Sequence, residues 1–444
     1  MEGTMAQAPQ NLTGKRVTVA GLGHFGGQVA AARWLVEQGA KVLVTDRAAP
    51  EKLADSVAQL SGLPIDFRLG EHRIEDFTRT DLIVASPAVP PHNEYLRAAR
   101  GAGVPIATEV RLFVERCPAA IVGVTGTKGK STTTALLGQM LKTRFAPFVG
   151  GNIGRSLLPD LRRIDKESRV VLELSSYMLH YLGEMRWSPH VSVVTMIAAD
   201  HVEWHESVEG YVGAKANIVR FQRPNDIAIL NEENPQALAL AGLTRARVIQ
   251  FGVEGRPPFD LLLPGRHNQL NAQAAFAAAS ALGVTWQEAQ HAVRDFTGLP
   301  HRLQLVHEAA GVRYYNDSIA TIPQAAIAAL DSFPPKRVIQ IVGGYDHHLP
   351  IAELCNALLE RAKAVLCIGA TGEQLADAMS QSPHTGATPV YRCGSLPTAV
   401  QIAREIAAPG DIVLLSTGYK SFDQFANFEQ RGKTFARLAK AQSG

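Results

Sequence analysis

Short β-branched runs alternate with helix-length amphipathic segments almost from one end of this chain to the other. Strands of that composition need cover on both faces, and the helices between them supply it. The pattern therefore commits the chain to α/β units built on parallel sheets. Three blocks separate. The first opens with RVTVA (16–20), passes through GLGHFG and a helix ending near Gln38, continues with KVLVTD (41–46), and closes near ERCPAA (115–120), where a proline breaks the pattern. The second begins with IVGV (121–124) and runs through VVLELSS (170–176), HVSVVTMI (190–197) and DIAILN (226–231) to the Ala-rich helix NAQAAFAAASAL (271–282). After FTGLPHR (296–302) a third series reads VRYYND, RVIQIVGG, KAVLCIG, TPVYRC and DIVLLST. The expected domains are 1–118, 119–299 and 300–444, and 444 residues suit about that number of cores.

Composition narrows the function classes. A net charge of +3 with no long Lys/Arg run argues against a nucleic-acid partner. Residues 1–12 lack the apolar core of a signal peptide and no apolar run approaches a membrane span, so the expected setting is the cytoplasm, with no membrane partner. Cys117, Cys355, Cys367 and Cys393 lie far apart in no metal-ligand spacing, as expected of reduced structural thiols.

Gly21, Gly23 and Gly26 fit G-x-G-x-x-G between a predicted strand and helix, and Asp46 ends the next strand where an acidic side chain can reach a ribose hydroxyl. Alone this reads as NAD, or as a tight βα turn without ligand; the glycines only require that some pyrophosphate approach a helix N-terminus. ASPAVPP (85–91) then sets a turn at the same sheet's carboxyl edge, where α/β sheets bind ligands.

The stretch VGVTGTKGKSTTT (122–134) misses the strict P-loop spacing by one residue, since Val124 stands where the first Gly belongs. The working parts remain in Gly126-Thr127-Lys128-Gly129-Lys130-Ser131-Thr132. Two glycines allow a nest of backbone N–H groups, Lys130 reaches the β/γ-phosphates, and Ser131 can hold Mg²⁺. Glu173, after Val170, Val171 and Leu172, supplies the acidic strand end that such a metal needs. His201 and His205 have i, i+4 spacing, but H-E-x-x-H is absent and Mg²⁺ fits an ATP loop better than zinc; one His is taken as a ligand and His205 as a surface or core residue. Lys215 has no acidic neighbour in the preceding turn and on sequence alone reads as a solvated helix lysine.

Together these motifs resemble the Mur ligases, ATP-dependent amide-forming enzymes of peptidoglycan precursor synthesis. The family loop is similar to G-x-T-G-T-x-G-K-S-T, which Gly123 to Thr132 fits throughout, so the displaced glycine is the family's own form. GGNIG (150–154), ELSSYML (173–179), ADH (199–201), YVGAK (211–215), GRHNQLNAQAA (265–275), FTGLPHR, NDS (316–318) and SFDQFANFEQRG (421–432) follow in family order. The resemblance implies three domains, with Rossmann-like N- and C-terminal domains flanking a central P-loop ATPase. It implies a cytoplasmic, monomeric ligase of cell-wall biogenesis that adds glutamate, D-glutamate by the SFDQF…NFEQRG tail, to UDP-N-acetylmuramoyl-L-alanine through an acyl phosphate. L-glutamate, another amino acid or a folylpolyglutamate-type reaction are the neighbouring readings, and a NAD-dependent dehydrogenase leaves the P-loop without a task.

The resemblance also implies the site. Gly23, His24, Phe25, Asp46 and Arg47 would contact the UDP-sugar, with Asn152 nearby. Lys130, His201 and Lys215 would be catalytic; Ser131, Glu173, His201 and a carbamylated Lys215 would serve two Mg²⁺ ions; Asn268, Asn271, Arg302 and Asp317 would join the loop in holding ATP. At the amino acid the chain departs from the family: Ile319 follows Asp317-Ser318 where Lys is usual, and His347 and His348 stand after Asp346 where Lys commonly follows. Lys420 with His347 or His348 is expected to replace the missing charge, Thr321, Ser421 and Phe428 to frame the substrate, and Ser421 with Gln424 to form an S-x-x-Q box opening the last helix.

Overall fold

The computed structural model describes residues 11–23, 26–345, 349–382 and 388–441. Its Cα packing divides into two compact units, 1–257 with 270–291, and 258–269 with 292–444. The first unit holds two parallel sheets. One consists of β1 (Arg16–Ala20), β2 (Lys41–Asp46), β3 (Ile65–Leu69), β4 (Leu82–Ala85) and β5 (Ile106–Ala107) in the order β3-β2-β1-β4-β5. The order reverses direction at β1, whose neighbours are β2 and β4, so a crevice opens beyond the carboxyl ends of β1 and β4. The other sheet consists of β6 (Ile121–Thr125), β7 (Phe148–Gly151), β8 (Val170–Glu173), β9 (Val191–Val194), β10 (Ile227–Asn231) and β11 (Arg247–Phe251) in the order β11-β10-β9-β6-β8-β7. Its switch lies at β6, between β8 and β9. Every residue of β6, β8 and β9 is buried, as strands covered on both faces must be.

The two sheets share a core. One hydrophobic cluster runs from Val17, Leu35 and Val44 through Leu112 and Phe113 to Leu158, Leu172 and Leu182. The helix Glu109–Val114 lies within it: all of its residues are buried, with Thr108 accepting from the Arg111 amide as N-cap.

The second unit has one sheet of β12 (Gln304–Ala309), β13 (Val312–Asn316), β14 (Val338–Val342), β15 (Ala364–Ile368), β16 (Val390–Gly394) and β17 (Ile412–Leu415), in the order β12-β13-β17-β14-β15-β16. All pairings are parallel except β12 with β13. Those two form a hairpin closed at Ala310 and Gly311, with φ of 50° and 74°, the left-handed pair that a two-residue turn needs. This sheet is mixed, which the alternating pattern did not anticipate. Among the described residues, no helix is long and apolar enough to cross a membrane.

Three details correct the sequence reading. Strands β3, β5, β7, β11 and β12 were not among the expected runs, being short or mixed in polarity. The Ala-rich helix starts at Arg266, five residues early, so Asn268 and Asn271 lie on one helix. The last helix begins at Phe428, not Ser421. Its cap is Asn427, whose side chain accepts from Gln430 N (2.8 Å), while Gln430 Oε1 accepts from Ala426 N (2.7 Å). Gln424 instead donates its amide to Gly394 O (2.7 Å), which removes it from any box with Ser421. Two box-like patterns, at 421–424 and 427–430, compete here, and the asparagine that has helix after it takes the cap.

Candidate active site

The loop after β6 is shaped by two glycines. Gly126 has φ 152°, and a Cβ there would collide with the Thr195 hydroxyl and crowd Met196 O at 2.9 Å. Gly129 has φ 85°, and a Cβ there would strike the Asn271 amide oxygen. Gly129 N-caps the helix Lys130–Leu141 without any side-chain cap, and the first turn carries no acid, so the helix offers its leading N–H groups and its positive dipole end to an anion. Thr195, at the end of β9, fastens the loop by donating to Thr125 O (3.1 Å) and Lys128 O (2.6 Å). Thr127 N donates to Met196 O (2.7 Å) and its hydroxyl to Ala198 O (3.0 Å). Lys130 Nζ folds over the loop to Gly126 O (2.9 Å) and Thr127 O (3.0 Å). Lys128 is exposed, Ser131 half-buried and Thr132 buried.

Glu173 lies one strand away, opposite Val124 in the β6–β8 register, and is 1% exposed. Asn152 Nδ2 donates to its Oε1 (2.7 Å), whereas its Oε2 is buried with no hydrogen-bond partner. A buried carboxylate oxygen in that condition is costly unless something of opposite charge meets it. The oxygen donors of Ser131 and Glu173 suit a hard divalent cation, although among the described residues no three His, Cys, Asp or Glu side chains gather into a metal-holding cluster.

Lys215 corrects the sequence reading of a solvated lysine. On the helix Val208–Arg220 it is 1% exposed, donates to Gly126 O (2.7 Å) and weakly to Thr125 Oγ1 (3.4 Å), and lies 4.9 Å from the Tyr211 ring centre. Burial, reinforced by the Lys130 charge and opposed by Asp200 and Glu173, holds its ammonium well below the ordinary lysine range. Two lysines thus converge on one carbonyl, Gly126 O.

His201 sits at φ 48° as the cap of the single turn Val202–His205, half exposed beside Asp200 (3.5 Å) and 5.0 Å from the Tyr177 ring. His205 turns inward, stacked on Tyr177 and edge-on to Tyr211, and burial lowers it to about 4. The pair therefore points to different environments and makes no shared ligand set. An open cavity of about 640 Å³ is lined by Pro90, Tyr177, His201, Val202, Glu203 and Trp204. Asn271 joins the loop from the Ala-rich helix, accepting from Thr133 Oγ1 (3.4 Å).

At the first sheet, Gly26 N-caps the helix Gly27–Glu37 in the left-handed conformation with no side-chain cap and no acid in the first turn. Asp46 Oδ2 accepts from Gly23 N (3.2 Å) and Oδ1 from Ala48 N (2.8 Å), while Arg47 is exposed. Gln28, which sequence reasoning passed over, is buried with both amide atoms unpartnered. His24 and Phe25 lie outside the described residues, as do Asp346, His347 and His348.

In the second unit Asp317 is buried at the end of β13. Ser416 Oγ donates to its Oδ2 (2.8 Å) and Leu303 N to its Oδ1 (3.1 Å), yet burial pushes the carboxyl up to about 7. Arg302 is exposed, and Asn268 Nδ2 donates to Pro264 O (2.6 Å). Thr321 is half-buried and Ser421 buried; Phe428 is edge-on to His301 at 6.0 Å. Lys420 is exposed, its carbonyl accepting from Tyr345 N (2.9 Å). Sequence reasoning also missed Arg431. Its guanidinium donates to Ser318 Oγ (2.9 Å), Ser318 O (2.9 Å) and Tyr419 O (3.0 Å) from a residue only 1% exposed, tying the NDS segment to the loop that follows β17, just before Lys420.

Comparison with known proteins follows these three sheets. The profile of the MurD-like N-terminal domain of Mur ligases matches residues 15–108, the Mur ligase middle domain residues 124–258, and the Mur ligase glutamate ligase domain residues 301–417. A UDP-N-acetylmuramoylalanine–D-glutamate ligase of Roseiflexus sp. (strain RS-1) is 42% identical, covering 97% of this chain and 99% of the relative. The enzyme of the same name from Anaeromyxobacter dehalogenans (strain 2CP-C) is 39% identical over 98% and 100%. Among solved structures, UDP-N-acetylmuramate-alanine ligase MurC from Thermotoga maritima superposes with a TM-score of 0.60 at 21% identity, covering 95% of this chain and 98% of its own. MurF ligase from Thermotoga maritima in complex with ADP gives 0.58 at 17% identity over 98% and 99%.

Proposed function

Since this chain belongs to the Mur ligase family, we propose that it is the ligase that joins D-glutamate to UDP-N-acetylmuramoyl-L-alanine at the expense of ATP, in peptidoglycan precursor synthesis. The observation that carries the reading is the uncapped helix N-terminus at Gly129, with Lys130 folded over its loop and Glu173 holding one oxygen unpaired beside it. The match to D-glutamate ligases over nearly the whole length of both chains supports the substrate.

A carboxylate is a poor acyl donor, so the L-alanyl carboxylate takes the γ-phosphoryl group of ATP and becomes an acyl phosphate. The glutamate amine then attacks the acyl carbon, and the tetrahedral adduct expels phosphate. In this reading Gly126, Thr127, Lys128, Gly129, Ser131 and Thr132 cradle the triphosphate, and Lys130 offsets charge on the transferring group. Asn268, Asn271, Arg302 and Asp317 take the rest of the nucleotide. Magnesium, which Mur ligases require, neutralises phosphate charge when bound; Ser131, Glu173, His201 and Lys215 would hold two such ions. Lys215 serves that role as a carbamate, formed by its neutral amine on carbon dioxide with loss of a proton. The Lys130 ammonium on the same Gly126 carbonyl, together with burial, opposes protonation of Lys215, and the modification turns that neutral amine into an anion.

The UDP end of the acceptor is assigned to Gly23, His24, Phe25, Asp46 and Arg47 at the uncapped Gly26 helix start, with Asn152 nearer the carboxylate. Thr321, Lys420, Ser421 and Phe428, with His347 and His348, are assigned to glutamate. The domains of this reading are 1–118, 119–299 and 300–444, in a monomeric cytoplasmic enzyme. The test is phosphate release with ATP, UDP-N-acetylmuramoyl-L-alanine and a panel of amino acids. Turnover that requires both acceptor and D-glutamate is expected; turnover without an amine, or equal turnover with L-glutamate, overturns the assignment.

A further inference from the structure

Trp204 and Tyr181 come from elements of the second sheet's layer, yet their packing places them in the core of the first sheet, in one cluster with Phe77, Ile83, Leu96 and Ile106. Both carry polar tips that must be paired when buried. Trp204, 9% exposed, donates its indole N–H to Ala88 O (3.1 Å), and Tyr181 donates its hydroxyl to the next carbonyl, Val89 O (2.9 Å). The indole plane is held by Tyr177 at 4.8 Å, His205 at 4.4 Å and His180 at 5.3 Å, so the N–H has little freedom to aim elsewhere. The carbonyls it and Tyr181 reach belong to the turn that follows β4.

That turn has a second attachment. Ser86 N donates to Ala20 O (2.8 Å), and a Cβ at Gly21 would lie 3.2 Å from the Ser86 Cβ, so the turn rests directly on the glycine fingerprint. At the other end, Trp204 N donates to His201 O (3.2 Å) in the single turn capped by His201. A continuous run of contacts therefore joins the fingerprint loop to His201, and Pro90 of the turn faces Trp204 across the cavity.

We propose that Trp204 and Tyr181 are positioning residues for the acceptor: their paired hydrogen bonds latch the turn of residues 86–91 in register with the His201 loop, so an acceptor held by its nucleotide presents its carboxyl end to the phosphoryl-transfer site. This rests on the ligase reading above. The latch sets a distance between two binding regions and touches neither ATP nor the amine. Loss of register weakens a ligand that spans both regions and spares a ligand that occupies one, because only the spanning ligand must satisfy both sets of contacts at once.

Tyr181→Phe removes one hydroxyl, and Trp204→Phe keeps a ring while removing the N–H. Each is expected to raise KM for UDP-N-acetylmuramoyl-L-alanine roughly tenfold, as loss of one well-placed contact does, and to leave KM for ATP and glutamate within about twofold. Calorimetric binding of UDP alone should match wild type. Unchanged acceptor KM with a lowered Tm would make both residues packing elements and overturn the proposal. A parallel rise in every KM and in the UDP Kd would overturn it too, as general loosening. Should Trp204→Phe fail to fold, Tyr181→Phe decides by the same readout. A wild-type chain that binds neither UDP nor the acceptor overturns the ligase reading itself, a result distinguishable from failure of the latch.

Discussion

Replacing Glu109 with glutamine isolates one buried charge where the two sheets of the first unit share their core. Glu109 opens the helix Glu109–Val114, is buried, and accepts a hydrogen bond from Ser156 Oγ, which itself accepts from Leu158 N (3.1 Å). Burial pushes its carboxyl from 4.5 up to about 7, with the Ser156 bond opposing only in part. Between those values the unfolded chain releases a proton that the folded chain keeps. Stability present below pH 4.5 is therefore lost as pH rises, and the loss is complete just above the folded value. A shift of that size corresponds to about 3 kcal/mol near pH 8 and under about 1 kcal/mol near pH 5. Glutamine keeps the oxygen that Ser156 needs and has no charge to desolvate. Glu109→Gln is therefore expected to be about 3 kcal/mol more stable near pH 8, or about 5 °C in Tm, with the advantage nearly gone near pH 5. Scanning calorimetry of both proteins across that range reads it. A pH-independent difference, or a less stable Glu109→Gln at pH 8, would refute the claim that a buried carboxylate strains this junction.

Lys215→Ala should lose ligation by roughly a hundredfold or more and recover part of it with millimolar short carboxylic acids, which can occupy the place of the carbamate; full activity with nothing added removes Lys215 from the chemistry. Lys420→Ala should raise KM for glutamate roughly tenfold with KM for ATP unchanged, because the lost contact would be to glutamate alone; an unchanged glutamate KM returns Lys420 to the solvated surface. Asn427→Ala should destabilise the chain by about 1 kcal/mol in denaturant unfolding by stripping the cap from the last helix, and Ser421→Ala should leave that helix intact. The reverse order would reinstate the Ser421 box.

Much of the site was legible in the chain because its parts are local. The loop from Gly126 to Thr132 is contiguous, and its glycines, its lysine and the strand before it act through backbone geometry that neighbouring residues set themselves. Glu173 was readable for the same reason, as the acid ending an apolar run of three. Burial of Lys215 was not, since it depends on Gly126 O and Thr125, some ninety residues away in sequence. Nor was the antiparallel β12, whose mixed polarity is tolerated only because it lies at a sheet edge beside β13. The cap of the last helix turned on a competition: SFDQ and NFEQ fit one template, and only the position where the helix packs, with Phe435 and Ala439 in the core, chose between them. Trp204 and Tyr181 carry no motif at all. Their function as read here lies in two hydrogen bonds to carbonyls about a hundred residues distant, and a carbonyl is present at every residue of the chain, so nothing in its sequence marks which one a donor will find. Backbone chemistry set by adjacent residues was determined by sequence; which buried polar groups meet was decided only when the sheets packed.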